Sequence, residues 1–114
     1  MIKVNWDVEE LVALVDVYER ESSGLWQDLS EELESLSNVL VKRADLLGIG
    51  HDEKYRNRNG LKMMYQNLQY VMSDGEKGLS GASRAMYDVC DFRKKCPTVF
   101  EMLLNEFNTK YRQR

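Results

Sequence analysis

KYRNRNGLKMMYQNLQYVM, residues 54–72, carries the clearest structural pattern in the chain. Its apolar side chains recur every three or four residues, which is the spacing of one face of an α-helix. They are Leu61, Met64, Tyr65, Leu68, Val71 and Met72, and the polar residues Lys62, Gln66, Asn67 and Gln69 fall on the other side. The pattern predicts an amphipathic helix that ends near Asp74 and buries one face in a core.

The first half of the same stretch is strongly basic. Its cations are Lys54, Arg56, Arg58 and Lys62. Asn57, Asn59 and Gly60 stand among them, and these residue types supply a turn, a helix N-cap and a left-handed backbone position. We therefore expect a basic loop that ends abruptly at the helix and is held still enough to meet an anion.

A first helix is predicted over about 8–21. Asp7 is a good N-cap, Glu10 stands where it completes a capping box, and Trp6 can pack onto Leu11 from outside the first turn. The start of this helix is therefore well specified by the sequence.

A long second helix is predicted from Leu25 and Trp26 to Leu47, because apolar residues recur at steps of three and four until Gly48. Its carboxylates crowd the N-terminal end, where the helix macrodipole favours negative charge. They are Asp28, Glu31, Glu32 and Glu34. A solvated face explains these carboxylates better than a partner-binding site does.

Two more helices are predicted after a glycine- and serine-rich loop, SDGEKGLSGAS, at residues 73–83. Ser80 or Ser83 can cap the fourth helix, and Pro97 fits the first position of the last. The fourth helix should bury Met86, Val89 and Cys90 and end in the exposed run Arg93, Lys94 and Lys95. The last should bury Val99, Phe100, Leu103, Leu104, Phe107 and Tyr111.

The predicted fold class is all-α, a compact irregular bundle of about five helices in a single domain over residues 1–114. A short strand near 2–4 stays an open alternative. The side chains expected to be buried together are Leu33, Leu36, Leu40, Met64, Leu68, Leu103 and Phe107. No run approaches the roughly 18 apolar residues of a membrane span, and no signal region is apparent, so we expect a cytoplasmic protein without membrane association.

The charge is unevenly divided along the chain. Residues 1–53 carry 4 Lys and Arg against 13 Asp and Glu, whereas residues 54–114 carry 12 against 6. A polyanion would be repelled by the first half and attracted by the second, so it should use one face of the protein. Mutual attraction of the two halves across the fold explains the same division equally well.

Few residues suited to catalysis are present. His51 is the single histidine, and Cys90 and Cys96 are too few and too close together for a disulfide framework or a zinc set. The glycines fit neither a P-loop nor a dinucleotide pattern. We therefore expect a protein that is not an enzyme and that uses no metal and no cofactor.

Three segments occur in a characteristic order. They are Trp6 with Glu9, Glu10 and Leu11; the run YRNRNGL at 55–61 with Met63; and Gly78, Leu79 and Ser80. In this order they resemble the N-terminal domains that precede HNH nuclease domains in bacterial restriction-type endonucleases. Related domains are the sulfur-binding modules of type IV restriction enzymes, which recognise phosphorothioate-modified DNA.

The resemblance implies a DNA-reading module that works with a nuclease partner, with sensing of modified DNA in phage defence as one form of it. The chain departs from the family pattern in three ways. Arg58 replaces a proline, the aromatic-proline pair of the sulfur pocket has no match, and the chain contains no HNH segment. The first departure adds charge where DNA would lie, the second argues against sulfur recognition, and the third removes cleavage.

The leading hypothesis is therefore DNA binding, with a duplex as the expected partner. The residues expected to contact phosphates are Lys54, Arg56, Arg58 and Lys62, together with Lys77 and Arg84, while His51, Tyr55, Asn57 and Asn59 offer hydrogen bonds or a planar surface. The alternative is a protein-interaction module or regulatory subunit that uses the acidic N-terminal half. In that case Arg56 and Asn57 only pin the loop to the fold. Oligomeric state stays open.

Overall fold

The computed structural model describes residues 4–24 and 28–112 of the chain. Five helices follow one another: α1 (Val8–Ser22), α2 (Leu29–Leu47), α3 (Arg58–Met72), α4 (Arg84–Lys95) and α5 (Pro97–Tyr111). The described ranges contain no strand, so the all-α bundle of about five helices is confirmed. The alternative strand at 2–4 and the predicted helix start at Leu25 and Trp26 fall largely or wholly outside those ranges.

Helix α1 lies at the centre of the bundle. It packs against each of the other four helices, and Leu11–Val15 are five consecutive buried residues. The middle of α1, Leu11–Val15, is apolar at consecutive positions and therefore on more than one face, so it must be covered from several sides. Its start is the predicted capping box, because Asp7 accepts from the Glu10 amide and Glu10 accepts from the Asp7 amide.

The core contains most of the predicted side chains. Leu33, Leu36, Leu40, Leu68 and Phe107 are buried together. Met64 and Leu103, which were expected with them, are only half-buried, so that part of the prediction is wrong. Both lie at the margin of a helical stripe, and the neighbouring residue on each stripe, Tyr65 or Leu104, takes the buried position. Val99, also assigned to a buried stripe, is exposed for the same reason.

The helix ends follow local chemistry closely. Ser83 caps α4 by accepting from the Met86 amide, and Pro97 opens α5, as predicted. Gly48 ends α2 in the left-handed conformation, at φ 71°. The start of α2 is different from the prediction, because Asp28 caps the helix from outside by accepting from the Glu31 amide.

The described part of the bundle measures 35 × 29 × 28 Å. Within it, no helix combines the length and the apolar character needed to cross a membrane.

Candidate nucleic-acid interface

The start of α3 positions the basic residues. Asn57 is its N-cap, and the side-chain oxygen of Asn57 accepts a hydrogen bond from the Gly60 amide at 2.8 Å. Gly60 is therefore inside the helix and does not hold a left-handed position, which corrects that expectation. A Cβ at Gly60 would lie 3.2 Å from the capping oxygen, so glycine makes room for the cap. Arg58 and Asn59 consequently belong to the first turn of α3 and not to a loop.

The left-handed residue of this segment is Arg56, at φ 48°. A non-glycine residue takes this conformation only where its surroundings fix it. The hydroxyl of Ser37 in α2 donates to the Arg56 carbonyl at 2.7 Å, and the Arg56 side chain is fixed as well. The sharp turn before α3 is thus determined by contacts to distant elements.

The Arg56 guanidinium points into the protein. It makes two hydrogen bonds to the Glu10 carboxylate, at 2.6 and 3.0 Å, and donates to the Val4 carbonyl. Its side chain is 8% exposed, and that of Glu10 is 1% exposed. Arg56 therefore pins the turn to the fold, and this internal pairing argues against the expected phosphate contact. This is the structural role that the protein-interaction alternative expects of Arg56.

A second arginine joins this pair. Arg43 of α2 contacts Asp7 at 2.8 Å and Glu9 at 3.0 Å and is 5% exposed. Burial alone would lower the pKa of Arg43, but the two carboxylates outweigh burial and raise it, so the guanidinium stays charged. We call Asp7, Glu9, Glu10, Arg43 and Arg56 the arginine cluster. It ties the start of α1 to α2 and to the turn before α3.

Tyr55 and His51 also face the protein. The Tyr55 ring stacks on His51 at 4.9 Å, the Arg56 guanidinium lies 4.5 Å from the centre of the Tyr55 ring, and the Tyr55 hydroxyl is buried. Desolvation is the largest cause of a raised pKa for that hydroxyl. The burial of the Tyr55 hydroxyl argues against a hydrogen bond from it to DNA.

His51 is held by two acceptors. Its Nδ1 lies 3.0 Å from the Asp52 carbonyl and its Nε2 lies 2.7 Å from Asp45 Oδ1. The backbone hydrogen bond and then the Asp45 carboxylate raise the pKa of His51 above its ordinary value. Because both partners only accept, the ring satisfies both of them only when both nitrogens are protonated. His51 is thus used to hold the loop after α2.

A groove lies between the first turns of α2 and α3. It has a volume of about 440 Å³ and is lined by Arg58, Asn59 and Lys62 from α3 and by Asp28, Leu29, Ser30 and Leu33 from α2. We call it the cation groove. Of the ten residues predicted to bind nucleic acid, three come together here.

The charges of the cation groove are free to meet a ligand. Arg58 and Lys62 are exposed, and neither forms an ion pair with a carboxylate in the described ranges. The first two amides of each helix have no acceptor within their own helix, and the N-terminal end carries the positive end of the helix dipole. Asp28 contributes an opposing carboxylate. Two cations face one carboxylate, so the groove keeps a net positive charge that favours an anion.

Three further predicted contacts are exposed but do not line the groove. Lys54 follows the loop of His51, Lys77 lies in the loop 73–83, and Arg84 begins α4. Asn57 is half-buried, and its side-chain oxygen is used by the helix cap. Lys54, Lys77 and Arg84 could therefore only extend a contact centred on the groove.

Much of the acidic half is used inside the molecule. Besides the arginine cluster, Arg93 pairs with Glu19 at 3.0 Å, Arg20 pairs with Asp16 and Glu32, and the Tyr65 hydroxyl donates to Glu21. Arg93 was expected in an exposed basic run and is instead half-buried. Attraction between the acidic and basic halves accounts for the Arg56 and Arg93 pairs. It does not account for Arg58 and Lys62.

The two cysteines lie in different environments. Cys90 is buried, as predicted, and burial raises the pKa of its thiol to about 11, while Cys96 is exposed between α4 and α5. In the described ranges, no three His, Cys, Asp or Glu side chains are grouped so that they could hold a metal ion.

Sequence reasoning missed the contribution of α2 to the groove. Leu29 and Ser30 open that helix, whereas the apolar pattern predicts a start at Leu25. The signal was present, because Asp28 is followed at the third helical position by Glu31, the spacing of a capped helix start. Comparison of the chain with protein-family models, with curated proteins and with solved structures finds no match.

Proposed function

We propose that this protein binds duplex DNA by its phosphate backbone, with the cation groove as the anchoring contact. The observation that carries the proposal is the position of Arg58 and Lys62, which are exposed, without ion pairs to described carboxylates, and beside two helix starts. Arginine and lysine beside free helix amides are the groups that proteins use for phosphate.

The proposed footprint is small. Arg58 and Lys62 take one or two adjacent phosphates, Lys54 takes a neighbour, and Lys77 and Arg84 extend the contact along the backbone. Arg56 and His51 are left out because their functional groups are used internally, and Tyr55 is left out because its hydroxyl is buried. Two to five phosphate contacts give weak, salt-sensitive binding, and these contacts by themselves carry no sequence information.

The more specific role is that of a reader module for an effector nuclease in phage defence. This role rests on the resemblance to the domains that precede HNH nucleases. The chain itself is proposed not to cut DNA, because the related nucleases keep their histidine and metal set in a separate segment. Modified and unmodified duplexes belong in the same titration, since only their difference tests modification sensing.

The test is a titration of a short duplex over a series of salt concentrations. The double variant Arg58→Ala, Lys62→Ala should lower affinity for every duplex and flatten the plot of log affinity against log salt by about two units. Lys42→Ala is a matched control, because it removes an exposed cation of α2 outside the groove. Melting temperatures should stay close to that of the parent, since exposed cations contribute under about 1 kcal/mol.

One further variant should strengthen binding. Asp28→Asn keeps a good N-cap and removes the carboxylate from the groove. It should raise affinity at low salt by up to about fivefold, which corresponds to an exposed charge interaction of under about 1 kcal/mol. If the parent binds no duplex at low salt, or if Asp28→Asn and Lys42→Ala change affinity alike, the groove is not a phosphate site.

A second candidate function is contact with another protein, and one surface favours it. Val8, Phe92 and Leu103 line an apolar groove of about 320 Å³ between α1, α4 and α5. The acidic surface on which this alternative was based is largely used in internal ion pairs. If the chain binds no duplex, protein contact through the apolar groove becomes the leading function. Leu103→Ser should leave DNA affinity unchanged.

A further inference from the structure

Helix α3 has two exposed, uncharged side chains near the cation groove. Phosphate binding by charge gives them no role. Asn59 and Met63 are four residues apart, so they lie one above the other on the same face. Met63 is 61% exposed. A single exposed methionine is ordinary on a protein surface, but here it lies one turn from an exposed amide and next to Lys62.

The rest of this face is covered by the loop 73–83. The Leu79 amide donates to the Gln66 carbonyl at 3.0 Å. Gly78 has φ 81°, and a Cβ there would overlap the Gln66 carbonyl oxygen, so the loop lies directly on the helix. The open face of α3 is therefore limited to its first two turns, residues 58–63.

The size of that open face decides how it could meet a duplex. Six helical residues extend about 9 Å along the helix axis, and the major groove of B-DNA is about 12 Å wide. A phosphate held in the cation groove would fix the start of α3 against the backbone. Recognition helices contact base edges with their N-terminal residues, so the side chains next to that phosphate are the ones that reach the bases.

We propose that α3 enters the major groove by its N-terminal end and reads an A·T step with Asn59 and Met63. The Asn59 amide has one donor and one acceptor, which match N7 and the N6 amino group of adenine. Asn59 makes no side-chain hydrogen bond to the described residues, so both groups are available. Met63 supplies an apolar surface for the thymine methyl group. The inference rests on the proposed DNA binding and adds base preference to it.

The experiment compares duplexes of equal length, one of A·T pairs and one of G·C pairs, at a fixed low salt concentration. The parent should prefer the A·T duplex about tenfold or more. Asn59→Ala, Met63→Ala should lose that preference and keep the salt dependence of binding. Lys62→Ala should do the reverse, with equal loss on both duplexes and a flatter salt dependence. Both Asn59 and Met63 are exposed, so melting temperatures should be unchanged.

Duplexes with modified bases test the contact of Asn59 and that of Met63 separately. Replacing thymine by uracil removes the methyl group, so it should weaken parent binding and leave Met63→Ala unaffected. Replacing adenine by 7-deazaadenine removes the N7 acceptor. It should therefore weaken binding of the parent and leave binding of Asn59→Ala unaffected. If the parent binds both duplexes equally, or if the double variant keeps the preference, base reading by α3 is wrong while phosphate binding stands. If the parent binds no duplex at low salt, both proposals fall.

Discussion

Arg56 and Arg58 are two residues apart and have opposite roles. Arg56 belongs to the arginine cluster, where Glu10 and two backbone carbonyls use its hydrogen bonds. Arg58 lies in the cation groove and pairs with no carboxylate in the described ranges. What separates the two arginines is a carboxylate that α1 supplies to one and not to the other. A basic segment is thus evidence of an anion site only after the internally matched cations have been removed from it.

The largest expected effect tests this contrast directly. Arg56→Ala should lower the free energy of unfolding by about 3–5 kcal/mol, because it leaves the Glu10 carboxylate buried without its partner. Arg58→Ala should cost under about 1 kcal/mol. Denaturant titration of both variants measures the difference.

A paired replacement is the control for that titration. Glu10→Leu with Arg56→Met removes both charges and should recover much of the stability lost by Arg56→Ala. Similar small losses for Arg56→Ala and Arg58→Ala would mean that the two arginines do not differ in role.

A smaller loss of stability is expected at Ser37, the uncharged residue that holds the same turn. Ser37→Ala removes the hydroxyl that donates to the Arg56 carbonyl and should cost about 1–2 kcal/mol. Because no charge is changed, DNA affinity measured on the folded fraction should stay near that of the parent. A Ser37→Ala protein as stable as the parent would show that the side chain of Arg56 alone fixes the turn.

The smallest effect concerns His51, which holds the loop between the two regions. Its folded-state pKa is raised, so protonated His51 stabilises the fold below its unfolded value of about 6.5, and this stabilisation is lost as the pH rises through the folded pKa. NMR titration of the ring protons is unambiguous, since His51 is the single histidine. Asp45→Asn should lower the measured pKa of His51. An unchanged pKa would show that Asp45 does not contact the ring in solution.

The parts of the fold that sequence predicted correctly are local. The caps at Asp7, Ser83 and Pro97 depend on residues within one turn, so their spacing is enough to place them. The burial of Met64 and Leu103 was predicted wrongly because both lie at the edge of an apolar helical stripe. Which edge of a stripe is buried depends on how the neighbouring helices pack, and the sequence does not show that packing.

The candidate site was only partly predictable for a similar reason. Asn57 and Asn59 are both good N-caps, and contacts from Ser37 and Glu10, far away in sequence, fix the turn that favours Asn57. The sequence located the basic segment, and an Arg followed by Asn before a helix already favours a structural role for Arg56 over Arg58. It contained no signal that identifies Glu10 as the partner of Arg56. The α2 side of the groove could not be predicted, because the sequence does not show that the starts of α2 and α3 meet in space.

The central position of α1 has a consequence for synthesis. Its buried middle segment packs against α5 as well as the other helices, so full burial waits until the last described helix has left the ribosome. At ordinary translation rates that interval is roughly 5 to 20 s. During it the nascent chain exposes part of the apolar segment Leu11–Val15, which is the kind of surface that chaperones bind.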